Sequence, residues 1–212
     1  MTNYYDPAFY AMAKRLFAIS VRDWLKYDIP ELKVKSIADF PDDFSSSIKE
    51  SQQFASFSKV INKYSVYHWE PLGHVDYDLP LRMTRHMSDL SWYYARQTGP
   101  DVGKEICLYQ TAVLFSPRFD YTKSPYYIRD DFIYKIVKLW EIDPQKIIDA
   151  KLVGLYPLIP LMDNKQSAST PDLVHLSVDA IVTVNNERWQ KKMLKIMSFM
   201  TENVKNLKII WD

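Results

Sequence analysis

The sequence has few of the residues that mark several common classes of protein. Among its 212 residues there are one cysteine and four glycines. A single thiol cannot form a disulfide within the chain, and Cys107 lies in an apolar run, so we expect it to be a buried thiol. The scarcity of glycine argues against a glycine-rich loop that cradles phosphate, and the sequence contains no such motif.

An excess of charge of one sign and long apolar runs are also missing. The formal net charge is +1, whereas a protein that binds nucleic acid without sequence preference is usually more basic. No run of about 18 apolar residues predicts a membrane span, and no N-terminal segment resembles a signal peptide. We therefore expect a cytoplasmic protein without a membrane span.

Apolar and aromatic residues, by contrast, are abundant. They make up 47% and 15% of the chain, a composition typical of folded proteins with a substantial core. The length suffices for one domain with a helical appendage. We predict a domain at 1–162, a linker at 163–172, and a C-terminal helical extension at 173–212 that packs on the domain or on a partner.

The C-terminal extension carries a strongly apolar stripe. Trp189, Met193 and Met200 recur at helical spacing, which predicts a core-facing or docking face. The apolar ending Ile209-Ile210-Trp211 is unusual for a free terminus. We therefore predict that residues 189–212 contact a protein partner or a second copy of the chain.

Local patterns predict both helices and strands. Helical spacing predicts helices at 5–27, at 80–96 and from 186 onward, and Asp143-Pro144 predicts a short helix to Ala150. The proline-rich segment 154–162 is expected to pack as an extended clasp. Alternation or continuous apolar runs predict strands at 32–37, 53–61, 64–70, 106–115 and 132–142.

The most informative stretch surrounds Glu70. This acid closes a strand of β-branched and aromatic residues, and a short polar loop follows it. The next helix begins with Asp78 as a predicted N-cap and Pro80 in its first turn. A carboxylate at the end of a strand, just before a loop, is a candidate catalytic or metal-binding group.

This stretch resembles a segment of the recombination-promoting nuclease / putative transposase family, which has the PD-(D/E)XK nuclease-like fold. The matching positions are Glu70, Asp76, Pro80, Arg82 and Met83. Other matches follow the family's order and cover roughly residues 5 to 162: the helix after Asp6, Val113–Pro117, Trp140–Pro144 and Leu155–Leu161. The resemblance implies an α/β fold with a restriction-endonuclease-like core, in which helices flank a mixed central β-sheet, followed by a C-terminal helix.

The resemblance also implies a Mg²⁺-dependent DNA endonuclease, but the match fails at the metal site. Family members carry an Asp on the strand before the Glu and a Gln soon after it. Here residues 51–69 contain no acid, and Leu72 stands where the Gln would be. Because Mg²⁺ binds carboxylate oxygens, Glu70 alone makes a weak site. A second acid would have to come from Asp6, Glu50 or Asp76.

Two interpretations of function stay open. The favoured one is a catalytically inactive or impaired binding or scaffolding module, or a subunit of a larger assembly, with Glu70 as a remnant acid and no cofactor. The alternative is an active Mg²⁺-dependent DNA endonuclease of the recombination-promoting nuclease / transposase type, in which Glu70 binds the ion.

Basic residues offer candidate contacts to nucleic acid, and DNA is a second candidate partner. The candidates are Arg82, Arg85, Arg118 and Lys123. Arg82 and Arg85 lie on the helix after Glu70, where they either meet a phosphate or pair with acids of the same helix, Asp78 and Asp89.

Histidines near Glu70 suggest a weaker alternative. His68 and His74 flank the acid, and this arrangement suggests either a zinc site or histidines at the edge of the core. The spacing matches no strong zinc motif, so we favour the core position. We expect His86 to have a packing role.

Overall fold

A computed structural model describes residues 7–39, 57–62, 65–73, 76, 78–98, 107–120, 134–162 and 170–206. These residues form an α/β protein with a five-stranded mixed sheet and a C-terminal helix, which confirms the predicted fold class. The chain divides into two compact units. The sheet unit comprises Lys33–Val113 and Asp120–Val137, and the helical unit comprises Met1–Leu32, Leu114–Phe119 and Lys138–Asp212.

Helices and strands are mixed in the first part of the chain, and only helices follow the last described strand. The elements are α1 Pro7–Asp28, β1 Ile37–Asp39, β2 Ser58–Ile61, β3 Ser65–Leu72, α2 Leu79–Thr98, β4 Cys107–Leu114, β5 Lys135–Lys138, α3 Pro144–Asp149, α4 Thr170–Val182 and α5 Glu187–Asn206, with 3₁₀ helices at Pro117–Phe119, Leu139–Glu141 and Val153–Leu161. The strand order in the sheet is β1-β2-β3-β4-β5. Within the described residues, no helix has the length and apolar character needed to cross a membrane.

The hairpin predicted before Glu70 is present as the antiparallel pair β2 and β3, in which Ser58 lies opposite His68. Asn62 follows β2 with a φ of 58°, a left-handed conformation that asparagine tolerates. Its side chain accepts a hydrogen bond from the Lys35 N–H at 2.7 Å and donates one to the Lys33 carbonyl at 3.1 Å. These side-chain bonds occupy the backbone where a strand was predicted, so β1 begins only at Ile37.

Helix α2 packs on the sheet unit through its apolar side. Met83 and Leu90 are fully buried, and the Gln110 amide of β4 donates a hydrogen bond to the Met83 carbonyl at 3.1 Å. Burial along β4 increases from its first residue to its last. The prediction of a buried Cys107 is therefore wrong, because this residue is the exposed beginning of the strand.

The 3₁₀ helix Val153–Leu161 is the centre of the helical unit, where it contacts α1, α3, α4 and α5. Its residues from Gly154 onward are buried. The prediction of an extended clasp is wrong here. Pro157 and Pro160 exclude an interior strand, but their fixed φ near −65° is compatible with a 3₁₀ helix.

A close backbone approach fixes this 3₁₀ helix against α1. A Cβ atom on Gly154 would lie 2.7 Å from the Ser20 Cα, a separation that only glycine avoids. The Gly154 N–H donates to Oδ2 of Asp23 at 2.7 Å. On the other side, the Ser177 hydroxyl of α4 donates to the Tyr156 carbonyl at 2.7 Å. Hydrogen bonds thus connect this buried segment to two of the helices that it contacts, α1 and α4.

The strand predicted at 132–142 is shorter than expected. Residues 132 and 133 lie outside the described residues, β5 ends at Lys138, and the Ile142 N–H then closes a 3₁₀ turn on the Leu139 carbonyl. This turn prepares the entry to α3, where Asp143 accepts a hydrogen bond from the Gln145 N–H at 2.9 Å as an N-cap. The short helix predicted after Asp143-Pro144 is confirmed.

The C-terminal region is helical and begins at Thr170. The predicted linker 163–172 lies outside the described residues as far as 169, and the apolar ending 207–212 lies outside them as well. The stripe of α5 is buried at Met193, Ile196 and Met200, and α5 contacts α1 and the 3₁₀ helix Val153–Leu161. The apolar side of α5 therefore belongs to the core of the helical unit.

Candidate functional site around Glu70

Strand β3 and helix α2 bring a buried polar cluster together within the sheet unit. His68 and Glu70 are two residues apart on β3 and so share one face of the strand. Arg82 and His86 are four residues apart on α2 and so share one side of the helix. His68, Glu70 and His86 are 0%, 6% and 9% exposed. Such deep burial means that partners within the protein must compensate for the loss of hydration.

Arg82 is the centre of the ion pairs in this cluster. Its Nη2 donates to Oε1 of Glu70 at 2.9 Å, and its Nη1 donates to Oδ2 of Asp76. The other oxygen of Asp76 accepts a hydrogen bond from the Asp78 N–H at 3.0 Å. One guanidinium thus binds two buried carboxylates, an arrangement that suits the fixed fork of arginine donors.

The neighbouring arginine has a different environment. Arg85 lies near the carboxylate of Asp89, with Nε and Oδ2 4.0 Å apart, and its side chain is 57% exposed. This pair is the one predicted along the helix. For Arg82 the structure instead gives Glu70 and Asp76 as partners.

Two histidines complete the cluster on the other side of Glu70. Nε2 of His68 lies 3.5 Å from Oε2 of Glu70 and 3.2 Å from Nδ1 of His86. Nδ1 of His68 lies 3.0 Å from the Ser58 hydroxyl of β2. The two rings meet edge to face, with centroids 5.0 Å apart. His68 is therefore held from both ring nitrogens.

The cluster controls the protonation of its members. Burial acts to raise the pKa of Glu70, but the Arg82 guanidinium and then His68 outweigh it and lower the pKa from the ordinary 4.5 to about 2. Burial is also the main influence on His86, and with the neighbouring His68 it lowers the pKa of His86 to about 3. At neutral pH Glu70 is thus a carboxylate and His86 a neutral imidazole.

Mg²⁺, which the resemblance implies, does not fit the donors around Glu70. This ion requires oxygen ligands in a nearly octahedral arrangement. Glu70 and Asp76 do converge, as one hypothesis requires, but both bind the Arg82 guanidinium. Within the part of the chain that the structure describes, the other ligand atoms grouped with Glu70 are imidazole nitrogens, which suit zinc and related ions better.

The remaining predicted site residues lie either outside the described residues or in the helical unit. Asp6, Glu50, His74 and Lys123 lie outside the described residues. Arg118 is exposed in the helical unit, where its N–H donates to the Ser116 hydroxyl at 3.4 Å.

The sequence did not predict that His86 would contact His68, since His86 was expected only to pack. It offered Asp76 as a second acid near Glu70, but not as a partner of Arg82. The spacing of His68 with Glu70 and of Arg82 with His86 was the available signal. Each pair shares a face of its element, but only the packing of β3 with α2 shows that the two faces meet.

A scan against protein-family models, a search of curated proteins and a search of solved structures each found no match for this chain. The resemblance to the recombination-promoting nuclease / putative transposase family therefore stays a prediction from the sequence.

Proposed function

We propose that the chain is a noncatalytic binding module with the frame of a PD-(D/E)XK nuclease of the recombination-promoting nuclease / putative transposase type. The observation that carries this proposal is the bridge that Arg82 forms between Glu70 and Asp76. A guanidinium that binds both acids occupies one oxygen of each and supplies part of the positive charge that a catalytic cation would supply. The α/β fold and the order of the sequence matches support the frame.

The partner that we propose is an acidic protein segment. In the helical unit, α1 and α5 border a cavity of about 240 Å³, and its lining residues are Met12, Arg15, Lys192, Lys195 and Ile196. The three cationic side chains are exposed, while the two apolar ones are buried. Cations beside an apolar floor complement a segment that carries both carboxylates and apolar side chains.

The charge of the chain favours this partner over DNA. A net charge of +1 is low for a protein that contacts many phosphates. The basic residues of the cavity are local, and a small cluster suffices for a short acidic segment. The predicted contact region at residues 189–212 overlaps this surface through Lys192 and Lys195, which contribute charge, whereas the apolar stripe of α5 is internal.

A cleavage assay tests the absence of catalysis. Purified protein is incubated with plasmid DNA, single-stranded DNA and RNA in Mg²⁺ and separately in Mn²⁺. We expect no cleavage above that of a Glu70→Gln variant prepared in the same way. Cleavage by the unsubstituted chain that the Glu70→Gln variant lacks would refute the proposal.

A binding assay tests the partner. The probes are a fluorescein-labelled peptide of interspersed Glu and Leu residues and a labelled 20-base-pair DNA duplex, both followed by anisotropy. We expect the peptide to bind more tightly, with an affinity that falls as salt increases. A double variant, Lys192→Glu with Lys195→Glu, should abolish peptide binding. The control variant Lys146→Glu, at an exposed position on α3, should leave it unchanged. Tighter binding of the duplex than of the peptide, or equal peptide binding by the double variant and the control, would contradict the acidic-segment proposal.

The active Mg²⁺-dependent endonuclease is the second candidate, and one observation favours it. Asp76 reaches the same guanidinium as Glu70, so two carboxylates converge at the end of β3. If Arg82 leaves them when nucleic acid binds, the acids become available to an ion. This candidate requires DNA cleavage that is lost in both Glu70→Gln and Asp76→Asn, and the cleavage assay above distinguishes it from the first proposal.

A further inference from the structure

We propose that His68, Glu70 and His86 form a binding site for one divalent transition-metal ion of the zinc type, which connects β3 to α2. This inference shares Glu70 with the proposed binding function. It uses Oε2 of Glu70, which faces His68, whereas that function rests on the bond of Oε1 to Arg82, on Asp76 and on the cavity of the helical unit. The ligand atoms are Nε2 of His68, Oε2 of Glu70 and Nδ1 of His86.

The distances fit such an ion. Zinc lies about 2.0–2.1 Å from nitrogen and oxygen ligands, so two ligands of a tetrahedral site are about 3.3–3.4 Å apart. The separations of 3.5 Å between His68 and Glu70 and 3.2 Å between His68 and His86 are close to this value. One ligand atom from each of the three residues lies within 4.8 Å of the other two. A small closing movement would therefore complete three ligands, and a water molecule or small anion would supply the fourth.

The chemistry of the donors is also appropriate. Two imidazoles and one carboxylate are a ligand set that zinc and its neighbours in the periodic table accept. A hydrogen bond between the rings of His68 and His86 satisfies one of the close contacts, whereas a divalent cation attracts all three ligand atoms at once. Glu70 can serve the ion and Arg82 together, because Oε1 binds Arg82 and Oε2 faces the histidines.

The surroundings of His68 support the same assignment. A histidine that binds a metal usually donates its other ring N–H to an oxygen, which fixes the ring and its tautomer. The Ser58 hydroxyl lies 3.0 Å from Nδ1 of His68, in the position that this bond needs. Ser58 is itself buried and paired in register with His68 across the hairpin. The pairing of β2 with β3 thus places the Ser58 hydroxyl beside Nδ1 of His68, the ring nitrogen that would not bind the metal.

Direct metal binding by the full chain is the primary test. The protein is treated with EDTA, dialysed, and titrated with Zn²⁺, Co²⁺ and Mg²⁺ in separate experiments, with bound metal measured by elemental analysis. We expect one Zn²⁺ or Co²⁺ per chain and no competition by a large excess of Mg²⁺. The Co²⁺ complex should show the intense visible absorption of a four- or five-coordinate nitrogen and oxygen site. A chain that binds no Zn²⁺ or Co²⁺ would overturn the inference.

Variants locate the ion. His68→Ala and His86→Ala should each weaken Zn²⁺ binding at least about 100-fold, and Ser58→Ala should weaken it about 10- to 100-fold. His175→Ala, at an exposed histidine of α4 in the helical unit, is the matched control and should bind as the unsubstituted chain does. Binding that survives in both His68→Ala and His86→Ala would place the ion elsewhere and refute the site.

A stability measurement on the unsubstituted chain tests the site even if the variants fail to fold. On the unsubstituted chain, one equivalent of Zn²⁺ should raise the temperature of thermal unfolding, and Mg²⁺ at the same concentration should not. A bound ion without such a rise would contradict the proposed connection of β3 to α2. Loss of the metal site would leave the peptide-binding result unaffected, so the two proposals fail separately.

Discussion

Glu70 in the sheet unit and Asp23 in the helical unit are both buried acids, yet their surroundings shift their pKa values in opposite directions. Asp23 accepts a hydrogen bond from the Gly154 N–H, and burial outweighs this bond and raises the pKa of Asp23. Burial also acts to raise the pKa of Glu70, but Arg82 and His68 lower it to about 2. The comparison shows that charged partners, more than depth, decide whether a buried carboxyl group ionises.

The largest effect is expected from removing Arg82, the cation that binds Glu70 and Asp76. Arg82→Met keeps an unbranched apolar side chain of similar length but leaves Glu70 and Asp76 buried without their guanidinium. We expect the free energy of unfolding at neutral pH to fall by about 3–5 kcal/mol, measured by urea denaturation. Arg85→Met, at the exposed neighbour, should change it by no more than about 0.5 kcal/mol. Equal effects of the two variants would mean that the acids do not depend on Arg82.

The second prediction concerns the free energy of unfolding of Glu70→Gln and of the unsubstituted chain, measured as a function of pH in buffer that contains EDTA. The folded pKa of about 2 lies below the ordinary 4.5, so ionised Glu70 stabilises the fold above pH 4.5, and this contribution is lost as pH falls towards 2. We expect the variant to be less stable by about 1.5–3 kcal/mol at pH 7, because it loses charge-assisted hydrogen bonds. The deficit should shrink between pH 4.5 and 2. A deficit that stays constant with pH would show that Glu70 acts only through its shape.

Gly154→Ala tests the close packing of the 3₁₀ helix on α1, which holds the Gly154 N–H against Asp23. The added Cβ would lie 2.7 Å from the Ser20 Cα and 2.8 Å from Oδ2 of Asp23. Because a backbone atom cannot rotate away, the 3₁₀ helix must move from α1, at a cost of about 1–3 kcal/mol. Urea denaturation measures the loss. Unchanged stability would mean that the two segments can separate without cost.

Asp23→Asn should have the smallest effect and the opposite pH trend. The raised pKa of Asp23 means that, as pH rises above the ordinary value of 3.8, the unfolded chain releases this proton first. The unsubstituted protein therefore loses stability until pH passes the folded pKa, and the variant does not. We expect the stability of the variant relative to the unsubstituted chain to improve between pH 3 and neutrality, by less than about 1 kcal/mol. Parallel pH curves for the two proteins would contradict the raised pKa.

The fold was predictable where the local pattern and the tertiary contacts agree. The helix that begins beside Pro80 and the strand that contains Glu70 carry clear periodicity and clear boundaries, and both are present. The prediction of an extended segment at 154–162 was wrong, because proline excludes an interior strand without specifying the structure that replaces it. Its 3₁₀ form depends on contacts with α1 and α4, which are distant in sequence.

The candidate site was only half predictable for the same reason. Glu70 was identified from its place at the end of a strand, and Arg82 from its position on the next helix. Their mutual bond, and the approach of His86 to His68 across 18 positions of sequence, arise from the packing of β3 with α2. Spacing along one element reveals which residues share a face, but not which faces meet.

Exposure of Cys107 at the beginning of β4 gives the chain a natural attachment point. Because the sequence has no other cysteine, a maleimide dye will modify one known position without any substitution. Oxidation between copies of this chain can join no more than two of them, sulfur to sulfur. Samples for hydrodynamic work should accordingly contain a reductant, so that a covalent pair is not mistaken for self-association.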